Sequence, residues 1–101
     1  MLPHVVRFNA EQDDAHGAYA ELAAIGKLGQ AATSEEAVES LAKRLTKLLE
    51  QADMPVTLRA SGVEESMLTT LAAEAAGQWT ASFNPREVGQ AEMESIYRAA
   101  F

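Results

Sequence analysis

The sequence predicts an all-α fold, a small bundle of about four to five helices, on three observations. Nearly half of the 101 residues are apolar, and much of that share is alanine, the strongest helix former. Apolar residues recur at three- and four-residue steps in several segments separated by glycine or proline. Thr33 and Glu36 form a Thr-x-x-Glu pattern ahead of a long apolar stripe, the signature of a capped helix start. The length fits a single helical domain over 1–101 with one thin core, since alanine buries little surface.

Leu2 to Asn9 is short and apolar, compatible with a strand or with the tail of a helix, and the helix tail is the favoured reading. Beyond the polar stretch Glu11 to Asp14, a second helix places Ala15, Ala18, Tyr19, Leu22 and Ile25 on its inner stripe, with acidic residues at its start. Gly26 and Gly29 are expected to close it.

The clearest element starts at the Thr33 cap, with Val38, Leu41, Ala42, Leu45, Leu48, Leu49 and Ala52 facing inward. Its outer face, Glu35, Glu36, Glu39, Lys43, Arg44, Lys47 and Glu50, reads as solvated. Met54-Pro55 ends it, because proline disfavours helix in the residue before it. Val56 to Leu58 is expected to be an extended connector leading to a turn at Ser61-Gly62.

A third amphipathic helix is expected over about Glu64 to Ala76, with Met67, Leu68, Leu71, Ala72 and Ala75 inward and Gly77 as C-cap. Trp79 to Val88 reads as a loop around the turn signal Asn84-Pro85-Arg86. The last helix starts near Gly89, with Met93, Ile96, Tyr97 and Ala100 recurring at three- and four-residue steps, and is expected to dock Tyr97 and Phe101.

Composition excludes several functions. The formal net charge of −7 disfavours nucleic acid and anionic membrane surfaces, both of which are bound through clustered cations. With no cysteine there is no disulfide, thiolate nucleophile or cysteine zinc site. No signal-peptide pattern or transmembrane run is present, so the default location is cytoplasmic.

Candidate chemistry is sparse. His4 and His16 lack the helical spacing that lets two ligands converge on a metal. His16, beside Asp13 and Asp14, reads as a solvated histidine, and His4 as a partly buried group bonded to a carbonyl or lining a cavity. No serine sits in a nucleophile-elbow pattern, and no glycine run cradles a phosphate. Trp79 and Phe83, outside any helical stripe, either cover the thin core or border a ligand pocket, and covering the core is the reading their type favours.

Taken in order, Leu2-Pro3-His4-Val5-Val6-Arg7-Phe8-Asn9, Glu35-Glu36-Ala37, Met54-Pro55-x-x-Leu58-Arg59-x-x-Gly62-Val63, Phe83-Asn84-Pro85-Arg86 and Ile96-Tyr97-Arg98-Ala99-Ala100 resemble the C-terminal helical region of the iron-containing alcohol dehydrogenases. The resemblance runs over essentially the whole sequence. It implies the distal part of a helical domain whose full-length relatives join a dinucleotide-binding α/β domain to it, with metal and substrate in the cleft between. It further implies iron, or zinc, and NAD(P) for the full-length family.

No metal ligand, catalytic residue or cofactor-binding residue carries over onto this chain. Pro3-His4 is followed by Val5 rather than by the glycine of the family's Pro-His-Gly ligand segment, which is missing here. What the resemblance does carry over is pocket lining by Trp79, Thr80 and Phe83, which sets that reading level with core covering for Trp79. It also suggests a chain that begins inside a helix, from a truncated frame or an internal start. The expected function is a C-terminal part of an NAD(P)-dependent alcohol dehydrogenase that is inactive alone. The alternatives are one half of a split dehydrogenase, partnered by a complementing dinucleotide-binding chain, and a self-associating module forming a homo-oligomer.

Overall fold

The computed structural model describes residues 1–101 and is built of helices, with no strand. The helices are α1 (Leu2–Asn9), α2 (Asp13–Ile25), α3 (Ser34–Gln51), α4 (Leu68–Ala76) and α5 (Gln90–Ala99). Short 3₁₀ turns cover Arg59–Ser61, Glu65–Met67 and Trp79–Phe83. The all-α expectation is met, and the opening segment is helix rather than strand. The chain divides into two compact units, Leu2–Met54 and Pro55–Phe101 with Met1.

In the first unit α3 packs against both α1 and α2. Its core joins Val6 of α1, Ala23 of α2 and Val38, Leu41 and Ala42 of α3, with Tyr19, Ala20, Leu28 and Leu45 packed around them. Thr33 Oγ1 accepts the Glu36 backbone N–H at 3.2 Å, as the sequence pattern requires. The return arm differs: Glu36 Oε2 accepts the N–H of Ala32, one residue before the cap, at 2.7 Å.

The inner stripe of α2 matches the expected one at Ala15 and Tyr19 only. Ala15 and Ala23 are buried and Tyr19 and Ala20 half-buried, whereas Ala18, Leu22 and Ile25 face outward, Ile25 at 71% exposure. Small alanines let α2 lie close to α3, and the large residues are left on the far side. Leu48 and Ala52 of α3 are exposed as well.

Both long helices of this unit end in the same way. Leu28 N–H bonds Ala23 O and Lys27 N–H bonds Ala24 O, while Met54 N–H bonds Leu49 O and Asp53 N–H bonds Glu50 O. These are Schellman closures, and the residues in the left-handed conformation are Lys27 (φ 50°) and Asp53 (φ 53°). Gly26 stays right-handed. A Cβ there would lie 3.2 Å from Leu22 O and 3.3 Å from Leu28 Cγ, so the glycine is used for space, letting Leu28 fold back.

In the second unit α4 packs on α5. Leu68, Ala72, Ile96 and Ala100 are buried, with Leu71, Ala75, Met93 and Tyr97 half-buried. Met67 is exposed, because the chain enters α4 through a 3₁₀ turn whose pitch takes that residue off the inward face. Residues 56–58 bend rather than extend, and Leu58 is already in the right-handed helical region. Its N–H bonds Ala100 O at 2.8 Å, and the Arg59 guanidinium sits 4.2 Å over the Phe101 ring, tying the C-terminal residues to this bend. Gly62, at φ 83°, makes the left-handed turn that follows.

Candidate functional site

The segment that the sequence marks for a site follows α4 directly. Gln78 is extended, and residues 79–83 form a 3₁₀ turn rather than an irregular loop. Ala81 N–H bonds Gln78 O at 3.0 Å, Asn84 N–H bonds Ala81 O at 3.1 Å, and Ser82 Oγ donates to Trp79 O at 2.7 Å. Downstream, Asn84 Nδ2 donates to Arg86 O at 2.6 Å, locking the Asn-Pro-Arg turn. Glu92 Oε2 then accepts the Gly89 N–H at 3.0 Å to open α5. The segment therefore has a defined backbone, and its side chains are presented from fixed positions.

On that turn Trp79 and Phe83 meet edge to face, with ring centroids 5.5 Å apart and an interplanar angle of 89°. Each is 74% exposed. Neither covers the core, so the reading favoured by residue type alone fails at these positions. The two rings instead border a cleft of about 600 Å³ together with Ala76, Gln78, Asn84 and Val88, and with Glu87 as the one ionisable residue of its lining. Thr80 is exposed and does not line this cleft. The walls are mixed, since Gln78, Ser82, Asn84 and Glu87 also line the cleft, and the Ser82 hydroxyl is already donated to Trp79 O.

The histidines lie elsewhere. His16 is not solvated: its Nδ1 donates to Ala10 O at 2.9 Å, just past α1, and its Nε2 is buried without a partner. The neighbouring acids were a poor guide, because the ring turns toward the end of α1 rather than toward the helix start it follows. His4 is half-buried, and that burial holds its pKa below the ordinary histidine value. No three of the histidine, aspartate and glutamate side chains converge as a ligand set for a metal ion.

One ionic feature escaped the sequence reading. Glu39, expected on a solvated face, is held by Arg7 of α1 through two hydrogen bonds of 2.8 and 2.9 Å. A separation of 32 residues leaves no sequence signal for such a pair. Glu94 similarly joins Arg98 at 2.6 Å and Thr69 at 3.2 Å, which holds its carboxyl below the usual range.

The C-terminal model of the Fe-containing alcohol dehydrogenase family matches residues 1–101. Among curated proteins, the NADPH-dependent butanol dehydrogenase of Clostridium saccharobutylicum is 29% identical over 105 residues. That alignment takes in 99% of this chain and 26% of the relative, so the chain spans only that share of its length. With a match that runs the whole length of the sequence, the chain belongs to the Fe-containing alcohol dehydrogenase family, as its C-terminal region.

Proposed function

We propose that this chain contributes one wall of the substrate cleft of an NAD(P)-dependent, metal-containing alcohol dehydrogenase and is inactive alone. The observation that carries the reading is the Trp79–Phe83 pair, two large aromatics fixed on an ordered turn and left 74% exposed at the rim of a cleft. Exposed aromatic area of this kind gains from contact with an apolar substrate or a facing wall. Glu87 is the only ionisable residue in a lining of mixed polarity, which suits a small uncharged alcohol or aldehyde.

The metal and nicotinamide supply polarisation of the alcohol oxygen and hydride acceptance when bound, but the residues present do not fit either group. No carboxylate–histidine set converges, and no glycine-rich phosphate cradle occurs. The chemistry must then be held by other residues, on the same polypeptide or on a complementing dinucleotide-binding chain. The chain's share is to bind and orient substrate and to exclude water from its end of the cleft. A cytoplasmic location accompanies this reading, and no helix is long and apolar enough to cross a membrane.

The direct test is an NAD(P)H turnover assay on the purified 101-residue chain with added iron or zinc. No turnover is expected, and clear alcohol oxidation would overturn the proposal. In the enzyme assembled with its dinucleotide-binding part, Trp79→Ala should raise KM for butanol severalfold with a smaller change in kcat. An unchanged KM would remove Trp79 from the cleft.

A further inference from the structure

The cleft beside Trp79 and Phe83 carries a single formal charge, and that charge has no partner in the protein. Glu87 is exposed, its side chain makes no hydrogen bond or ion pair, and no lysine, arginine or histidine shares the lining. Arg86, next in sequence, lies outside that lining and acts on Glu92 at the start of α5. Other carboxylates of the chain are held by a cation, Glu39 by Arg7 and Glu94 by Arg98. Glu87 is left to act on whatever enters the cleft.

The neutral part of the lining does not offset it. Ser82 gives its hydroxyl hydrogen to Trp79 O at 2.7 Å, and Asn84 gives an amide hydrogen to Arg86 O at 2.6 Å. Donors that could have received an anion are thus engaged within the turn itself. The exposed faces of Trp79 and Phe83 carry the negative part of the ring quadrupole, which attracts cations and not anions. Rings and carboxylate therefore present the same sign to a bound molecule.

We propose that Glu87 is a specificity-determining residue of this cleft, which disfavours alcohols bearing a carboxylate or phosphate and admits those that are uncharged or carry an ammonium group. The inference rests on the reading of the cleft as part of a substrate site. Most of a cleft of about 600 Å³ lies within roughly one 8 Å screening length of its wall, so an anionic substituent is repelled from most positions it could take. At contact, roughly 4 Å, two like unit charges in water shift an equilibrium about fivefold, and more once a facing wall displaces water. An uncharged alcohol of the same length meets no such repulsion.

The test compares three alcohols of one chain length, butan-1-ol, 4-hydroxybutanoate and 4-aminobutan-1-ol, as substrates of the enzyme assembled with its dinucleotide-binding part. Glu87→Gln keeps the shape of the side chain and removes its charge. It should raise kcat/KM for the hydroxybutanoate relative to butanol about three- to tenfold, and lower the ratio of the amino alcohol to butanol. Glu87→Lys should enlarge both shifts, and salt at about 0.5 M should shrink them. A change of shape alone would move both charged substrates in one direction, so opposite shifts identify the charge. Where the wild type turns over the anion too slowly to measure, competitive inhibition by butanoate and butylammonium reads the same ratios. Ratios that stay within about twofold of wild type in both variants, or that shift with the same sign for anion and cation, overturn the inference. If Trp79→Ala still raises KM for butanol, such a failure leaves the cleft reading standing. If Trp79→Ala leaves KM unmoved, the two fall together.

Discussion

Arg7 grips Glu39 with two parallel hydrogen bonds, Nε to Oε2 at 2.8 Å and Nη2 to Oε1 at 2.9 Å, fastening α1 to the middle of α3. Such fork-to-fork geometry gives a planar guanidinium an advantage that an ammonium lacks. The contact raises the Arg7 pKa and holds the Glu39 carboxyl below the usual glutamate range, the hydrogen bond being the main cause of both shifts. With side chains 40% and 41% exposed, solvent screens much of the attraction.

Glu39→Gln is therefore expected to cost only about 0.5–1 kcal/mol in urea unfolding at neutral pH. Arg7→Lys should cost a comparable amount despite keeping the charge. Because the folded-state pKa of Glu39 is depressed, its contribution is fully present above the unfolded glutamate pKa of about 4.3 and fades as the pH falls through the lower folded value. The gap between wild type and Glu39→Gln should close over that acidic window. A gap that is constant down to the acid limit would show that the pair does not act through the carboxylate.

Trp79 is the sole tryptophan, so its environment can be read by fluorescence without mutation. At 74% exposure its emission should be quenched by iodide or acrylamide in the native chain nearly as efficiently as in urea. Trp79→Ala should change unfolding stability by no more than about 0.5–1 kcal/mol, mostly through loss of the edge-to-face contact with Phe83. A tryptophan shielded from quencher, or a loss of several kcal/mol, would return it to the core.

The adjacent residues Met67 and Leu68, both expected inward from their spacing, should behave oppositely. Leu68 is 1% exposed and Met67 47%. Leu68→Ala should cost about 2–5 kcal/mol, and Met67→Ala less than about 0.5 kcal/mol, in paired denaturant titrations. Equal losses would mean that the 3₁₀ entry to α4 does not exist in solution.

Elements were legible where local chemistry dictates them. Thr33 and Glu36 mark the start of α3, Gly77 the end of α4, and the apolar steps of α5 return as buried Ile96 and Ala100. The inward face of α2 was only partly legible: Ala15 and Tyr19 were read correctly, but ranking residues by hydrophobicity favours Leu22 and Ile25, whereas close helix packing selected Ala20 and Ala23. The Arg7–Glu39 pair and the inward turn of His16 depend on tertiary proximity, which spacing along the chain does not encode. At the candidate site the sequence singled out Trp79 and Phe83 as the aromatics outside any stripe. It left undecided whether they cover the core, and only their exposure decides that.

The helix ends offer a gain in stability. Lys27 and Asp53 occupy the left-handed position of their Schellman closures, where a Cβ crowds the following carbonyl. Glycine there removes that strain and costs some unfolded-chain entropy, so the net gain is about 0.5–1 kcal/mol at each site. Lys27→Gly should gain more than Asp53→Gly, because an aspartate's short polar side chain tolerates the left-handed region better than a lysine's. Gly62, at φ 83° with open space where a Cβ would stand, supplies the converse: Gly62→Ala should lose about 1 kcal/mol from the backbone alone. Thermal or urea unfolding of the three variants checks the signs together. A destabilised Lys27→Gly would mean that the closure of α2 is held by the lysine side chain rather than by its backbone.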